Sequence, residues 1–196
     1  MNVSEAIASA LVAEGITLAA GLAGTHVGRL LDAIAMREEI NLMYARQERA
    51  AFDMADGFAR ASGKPAVVFT DSGPAAANTM GGLVNSWGDS TPVLFFAGHV
   101  NRSLTAFRDT KEIPFLDLFA PVSKWAAVID HPSQLQEILR RAFMQLRSGR
   151  PGPVVIGVPH DISGMEIGDF DYRPVSSQPR LRAGADPEGV ARAVEM

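Results

Sequence analysis

The chain has 196 residues, 47% hydrophobic and 20% charged, a globular rather than a disordered composition. Lys plus Arg is 18 against 22 for Asp plus Glu, a net charge of −4, so a basic nucleic-acid footprint is excluded. Cysteine is absent, which excludes disulfides, thiolate metal sites and cysteine catalysis.

Val3 to Gly15 carries apolar residues at helical spacing, with Gly15 as a stop. It has no Lys or Arg, so it does not read as a signal peptide. No apolar run approaches the ~18 residues of a membrane span. The expectation is a soluble, cytoplasmic protein with neither nucleic acid nor membrane as partner. Ile16 to Leu22 is a short apolar stretch that runs into a glycine-rich turn, Gly21 to Gly28. Val27 to Met36 reads as a helix, Ile40 to Ala45 as a strand and Arg46 to Ser62 as a long helix ending at Gly63. Ala66 to Thr70 is a continuous apolar strand, followed by the turn Asp71-Ser72-Gly73-Pro74. Ala75 to Trp87 reads as one helix of small residues, and Pro92 to Ala97 as another strand.

Gly98 to Pro121 is less regular. Trp125 to Ile129 reads as a strand, Pro132 to Arg147 as a helix and Val154 to Val158 as a last buried strand. Strands that are apolar throughout, alternating with helices, indicate an α/β fold: a parallel sheet of about six strands covered by helices on both faces. Such sheets bind ligands beyond the C-terminal ends of their strands, which directs attention to the turns after Leu22, Ala45, Thr70 and Ala97. From Ser163 to about Ala185, Pro, Gly, Ser and Asp cluster and the periodicity is lost, as in a linker. Asp186-Pro187-Glu188-Gly189 then looks like a helix start. The expected division is a globular domain over 1–162, a linker over 163–185, and over 186–196 the start of a second domain cut short.

Several residues in those turns have two readings. On a helical wheel Arg49, Asp53, Asp56 and Arg60 form the wet face, whereas Glu48 falls with Phe52, Ala55 and Ala59 on the face to be packed. A carboxylate there is costly without a partner. It is either a helix-start carboxylate favoured by the macrodipole or a functional group. His26 is either a packed or capping residue or a proton donor and acceptor facing the crevice. Asn78 serves a ligand or a neighbouring backbone. Ser72 is not set in a G-x-S-x-G elbow and no His is an obvious partner, so a serine hydrolase carries little weight. No carboxylate or His cluster has metal spacing.

Taken together, Gln47-Glu48-Arg49-Ala50-Ala51 and Ala55-Asp56-Gly57-Phe58-Ala59-Arg60-Ala61-Ser62-Gly63-Lys64-Pro65 resemble a helix of the thiamine-diphosphate enzymes of the acetolactate synthase, benzoylformate decarboxylase and benzaldehyde lyase group. Ser72-Gly73-Pro74, Asn78, Asp89-Ser90-Thr91-Pro92, Pro121-Val122-Ser123-Lys124-Trp125 and Gly149-Arg150-Pro151-Gly152-Pro153 continue the match in family order, over roughly residues 1–162. The resemblance implies the N-terminal pyrimidine-binding domain of a 2-oxo acid decarboxylase or carboligase, acetolactate-synthase-like. Its cofactor would be thiamine diphosphate, with Mg2+ bound by a domain absent from this chain, and its assembly a homodimer or homotetramer with the active site between subunits.

It also implies roles. Glu48 would hydrogen-bond a pyrimidine ring nitrogen and activate the cofactor. His26 would relay protons, and Ser72, Gly73, Pro74 and Asn78 would lie by the pyrimidine. Departures from the pattern are Gln47 for a His, Ala75 for a Gly, His99 for a Gln, and Thr110-Lys111-Glu112 for Phe-Gln-Glu. His99 and Lys111 alter polarity and charge at the substrate mouth. The isolated chain is expected to be inactive. The competing expectation is a non-catalytic nucleotide-sensing or structural α/β module.

Overall fold

All six strands among the described residues run parallel, as expected for strands apolar along their whole length. The computed structural model describes residues 1–177 and 184–196; part of the expected linker, 178–183, lies outside them. In chain order the elements are α1 (Val3–Ala13), β1 (Leu18–Gly21), α2 (Gly28–Ala35), β2 (Asn41–Tyr44), α3 (Glu48–Ser62), β3 (Ala66–Thr70), α4 (Pro74–Ala77), α5 (Met80–Asp89), β4 (Val93–His99), α6 (Phe115–Phe119), β5 (Trp125–Val128), α7 (Leu135–Arg147), β6 (Val154–Pro159), α8 (His160–Ser163) and α9 (Pro187–Val194). The sheet order is β2-β1-β3-β4-β6-β5.

Alternation along each strand divides the core into two layers. Val67 and Phe69 of β3 face Ile7 and Leu11 of α1, Leu30 and Ile34 of α2, and Leu139 and Phe143 of α7. Val68 of β3 faces the other way, into a layer with Phe52 of α3, Leu83 of α5 and Phe115 and Phe119 of α6. Local chemistry marks the helix ends. Asn2 and Glu5 form a reciprocal capping box at the start of α1. Gln47 caps α3 through the Ala50 N–H, and Gly63, at φ 69°, ends it.

Two sequence expectations are corrected. The helix expected over Ala75 to Trp87 is broken in two. Thr79 turns its hydroxyl onto the Ala76 carbonyl at 2.7 Å, and α5 starts afresh at Met80. Asp56, expected on the wet face of α3, is 5% exposed. The wheel sees one helix at a time, whereas α5 lies over this side of α3, and the absence of a Cβ at Gly82 admits Phe52 and Asp53.

Burial there demands partners, and Asp56 has them: Arg60 Nε at 2.5 Å and Ser86 Oγ at 2.5 Å, while Arg60 Nη1 reaches Asp89 of α5 at 2.7 Å. Burial opposes the ionisation of Asp56. The hydrogen bonds from Arg60 and Ser86, the guanidinium charge and Thr91 outweigh it, so its carboxyl titrates below the usual range. A lowered native value stabilises the fold above the unfolded value of about 3.9, and the contribution is lost as pH falls through the native value. D56N is therefore expected to unfold at lower urea than the wild type at neutral pH, with the gap shrinking as pH drops below about 4. Urea midpoints across that range check it.

Residues after α8 return along α1. Val3 N–H donates to Met165 O and Ile167 N–H to Met1 O, both at 3.0 Å, and Asn2 bridges Glu166 antiparallel. The anchor is Glu14, whose side chain is fully buried. It accepts from Arg147 Nη1 at 2.8 Å, Tyr172 Oη at 2.8 Å, Val175 N at 2.6 Å and Ser176 N at 3.2 Å. Burial, then the hydrogen bond to Glu14 and its charge, push the Tyr172 phenol well above its ordinary value. Among the described residues no helix is long and apolar enough to cross a membrane.

Candidate functional site

The strand order reverses at β1. From β1 the chain moves outward to β2, and β3 then pairs on β1's other side. The loop after β1 leads to α2 in one helical layer, and the turn after β3 leads to α4 and α5 in the other. Two connections leaving to opposite faces open a crevice beyond the strand ends, the place where sheets of this kind bind ligands.

His26 lies in the first connection and Asp71 begins the second. Asp71 Oδ1 accepts from the His26 backbone N–H at 2.8 Å and lies 3.1 Å from His26 Nδ1. Its other oxygen takes Lys111 Nζ at 2.5 Å. His26 sits against the end of β4, where a Cβ on Gly98 would stand 2.8 Å from the His26 Cβ. Beyond β6, the His160 ring meets His26 edge-on at 5.5 Å between centroids. Burial, then the charges of Arg29 and His26, lower the His160 pKa. The ends of β1, β3, β4 and β6 thus converge on one imidazole.

A second cluster lies at the edge of the sheet. Glu48 opens α3 just beyond β2, and its Oε2 accepts from Asn78 Nδ2 at 3.1 Å. The expectation that Glu48 belongs to the packed face needs correction: Phe52, Ala55 and Ala59 are buried, but Glu48 is half-buried and Asn78 is exposed. The apolar layer ends before the first turn of α3, because β2 is the edge strand and Tyr44 at its end is 60% exposed. No second partner for the Glu48 carboxylate is found among the described residues.

The segment after β3 links the two clusters. Ser72 is 2% exposed, and its hydroxyl has no hydrogen-bond partner among the described residues, His included. Gly73 has φ 62°, and a Cβ there would lie 2.6 Å from Lys111 Cα, so the turn needs glycine on both counts. Pro74 is the first residue of α4, and Asn78 closes α4. His99 ends β4, half-buried, with its ring edge-on to Phe115 at 5.7 Å.

Sequence reasoning placed Asp71 in the right turn but gave it no role, and passed over His160 and Arg29. Asp71's position directly after a buried strand was the available signal; nothing local marks His160 or Arg29. Their link appears only in three dimensions, where Arg29 Nη1 donates to the His160 carbonyl at 2.9 Å across 131 residues.

Residues 1–119 match the family model for "Thiamine pyrophosphate enzyme, N-terminal TPP binding domain". All 196 residues align at 36% identity with "Probable acetolactate synthase large subunit" of Methanocaldococcus jannaschii, covering 33% of that relative. The Escherichia coli K12 acetolactate synthase isozyme 3 large subunit is 34% identical over 159 residues, 81% of this chain and 28% of the relative. The chain therefore spans about a third of the length of the curated relatives it matches. Benzoylformate decarboxylase from Polynucleobacter necessarius shares the fold, with a TM-score of 0.86 at 24% identity over 100% of this chain and 36% of that one.

Proposed function

Since the chain belongs to the thiamine pyrophosphate enzyme family, through the N-terminal TPP-binding domain, we propose that it serves a 2-oxo acid decarboxylase or carboligase, acetolactate-synthase-like, by holding the cofactor's pyrimidine against Glu48. Residues 1–162 form this unit. The observation that carries the reading is the Glu48–Asn78 pair at the C-terminal end of a parallel sheet.

The residues fit the group. One Glu48 oxygen is fixed by the Asn78 amide, which leaves the other to share a hydrogen with a ring nitrogen. The buried, unpartnered Ser72 hydroxyl lies in the turn that leads to Asn78, and a polar ligand would satisfy it. When bound, thiamine diphosphate supplies a carbon nucleophile and an electron sink for loss of carbon dioxide from a 2-oxo acid.

Glu48 holds the hydrogen shared with the pyrimidine, and Asn78 keeps the carboxylate turned toward it. Ser72, Gly73 and Pro74 form the wall beside that ring. His26 handles protons on the substrate side, near His99 and Lys111. Mg2+ and the diphosphate are held by segments other than these 196 residues, and the site is completed by a second subunit in a homodimer or homotetramer. The setting is cytoplasmic.

Residues 1–196 alone are thus expected to turn over no substrate and to bind thiamine diphosphate weakly. Calorimetry with the cofactor and Mg2+ checks this. Tight, magnesium-dependent binding would overturn the division of labour. Binding of a nucleotide with no response to thiamine diphosphate would favour a sensing module.

A further inference from the structure

We propose that Asp71 is a positioning residue that fixes the His26 ring as a hydrogen-bond acceptor at Nε2, while its second oxygen holds Lys111 beside it. This deepens the reading of His26 as the proton-handling group and rests on it.

An ionised carboxylate only accepts hydrogen bonds. Asp71 Oδ1 lies 3.1 Å from His26 Nδ1, so that nitrogen must carry the hydrogen, and in the neutral ring the lone pair is left on Nε2. The same oxygen also binds the His26 backbone N–H at 2.8 Å, so main chain and ring are held together. The fit around the pair is close. The Asp71 and His26 side chains are 13% and 17% exposed, and a Cβ on Gly24 would stand 2.4 Å from the Asp71 Cβ.

Lys111 gives the pair its second feature. Its ammonium lies 2.5 Å from Asp71 Oδ2 and neutralises the carboxylate. Asp71 can then orient the imidazole without adding net negative charge to the crevice. The Gly73 turn, pressed against the Lys111 backbone, helps keep the lysine there. Burial opposes ionisation of Asp71. The hydrogen bonds from Lys111 and from the His26 and Ser72 N–H groups, with the Lys111 charge, outweigh it and hold the carboxyl below its usual range. Among the described residues, the other charged or titratable groups facing this cluster include His160, through it Arg29 and Asp161, and Asp109, which accepts from the Lys111 N–H. A ligand hydroxyl, or a proton leaving a reacting oxygen, would be received at Nε2.

The test is nitrogen NMR of 15N-histidine-labelled protein, with pH raised until the ring nitrogen shifts stop changing. The expected wild-type signal for His26 is a protonated Nδ1 and a bare Nε2. D71A is expected to shift the ring to the Nε2–H form, whereas H160Q is not. A wild-type ring protonated mainly on Nε2, or a D71A ring unchanged in tautomer, would overturn the proposal. Should D71A fail to fold, the wild-type spectrum alone decides. These spectra need neither cofactor nor substrate, so their outcome is independent of the catalytic reading. In the assembled enzyme D71A is expected to lower kcat by about tenfold or more, within the range of proton-transfer catalysis, with a smaller effect on KM. An unchanged kcat with the tautomer shifted would overturn the proton-handling reading of His26, whereas an unshifted tautomer overturns the positioning by Asp71.

Discussion

Replacing Glu48 by Gln in the assembled enzyme is expected to lower kcat by roughly 10²–10⁴-fold, the span covered by positioned proton-transfer groups. Gln keeps the length and one acceptor oxygen of Glu48, so the Asn78 contact survives. What disappears is the ability to take up and return a hydrogen. Stability should hardly move. Glu48 sits in the first turn of α3, where a negative charge gains about 0.3–1 kcal/mol from the helix dipole, and it is only half-buried. Steady-state kinetics and thermal unfolding of E48Q measure the two effects separately. Unchanged turnover with lowered stability would make Glu48 a helix-start residue and nothing more.

The largest stability effect is expected at Glu14, far from the crevice. Its carboxylate is fully buried and holds four hydrogen bonds, from Arg147, Tyr172, Val175 and Ser176. Removing one partner of a buried ion pair costs about 3–5 kcal/mol, because the other charge stays buried without compensation. Here that charge is Arg147, 17% exposed. E14A should therefore lose about 3–5 kcal/mol in urea unfolding, a large share of a stability of roughly 5–15 kcal/mol. It should also open residues 172–176 to protease, since their attachment to α1 runs through this carboxylate. A loss below about 1 kcal/mol would mean that Arg147 finds water or another acceptor.

The fold was legible where one local signal sufficed. β3 falls on Ala66–Thr70 as read, because a continuous apolar strand between Pro65 and Asp71 has one interpretation. Gly63 ends α3 as expected, because its φ of 69° suits glycine. The errors come from contacts between elements. The break between α4 and α5 is hidden in a run of small residues, since helix periodicity does not register a Thr79 hydroxyl turned onto its own backbone. Asp56 looked wet because nothing local announces that α5 will seat on that side of α3. Glu48 shares a wheel sector with Phe52, but the wheel does not show that the core layer stops before the first turn. His26 was singled out, whereas the carboxylate that orients it, 45 residues away, needed the strand order β1-β3 to bring it alongside.

The central claim is that Glu48 meets the cofactor's pyrimidine. An experimental structure of the assembled enzyme with thiamine diphosphate and Mg2+ tests it most directly. A Glu48 carboxylate oxygen is expected within about 2.6–3.2 Å of a pyrimidine ring nitrogen, with Asn78 still on the other oxygen. A cofactor ring seated elsewhere, with Glu48 turned to solvent, would contradict it.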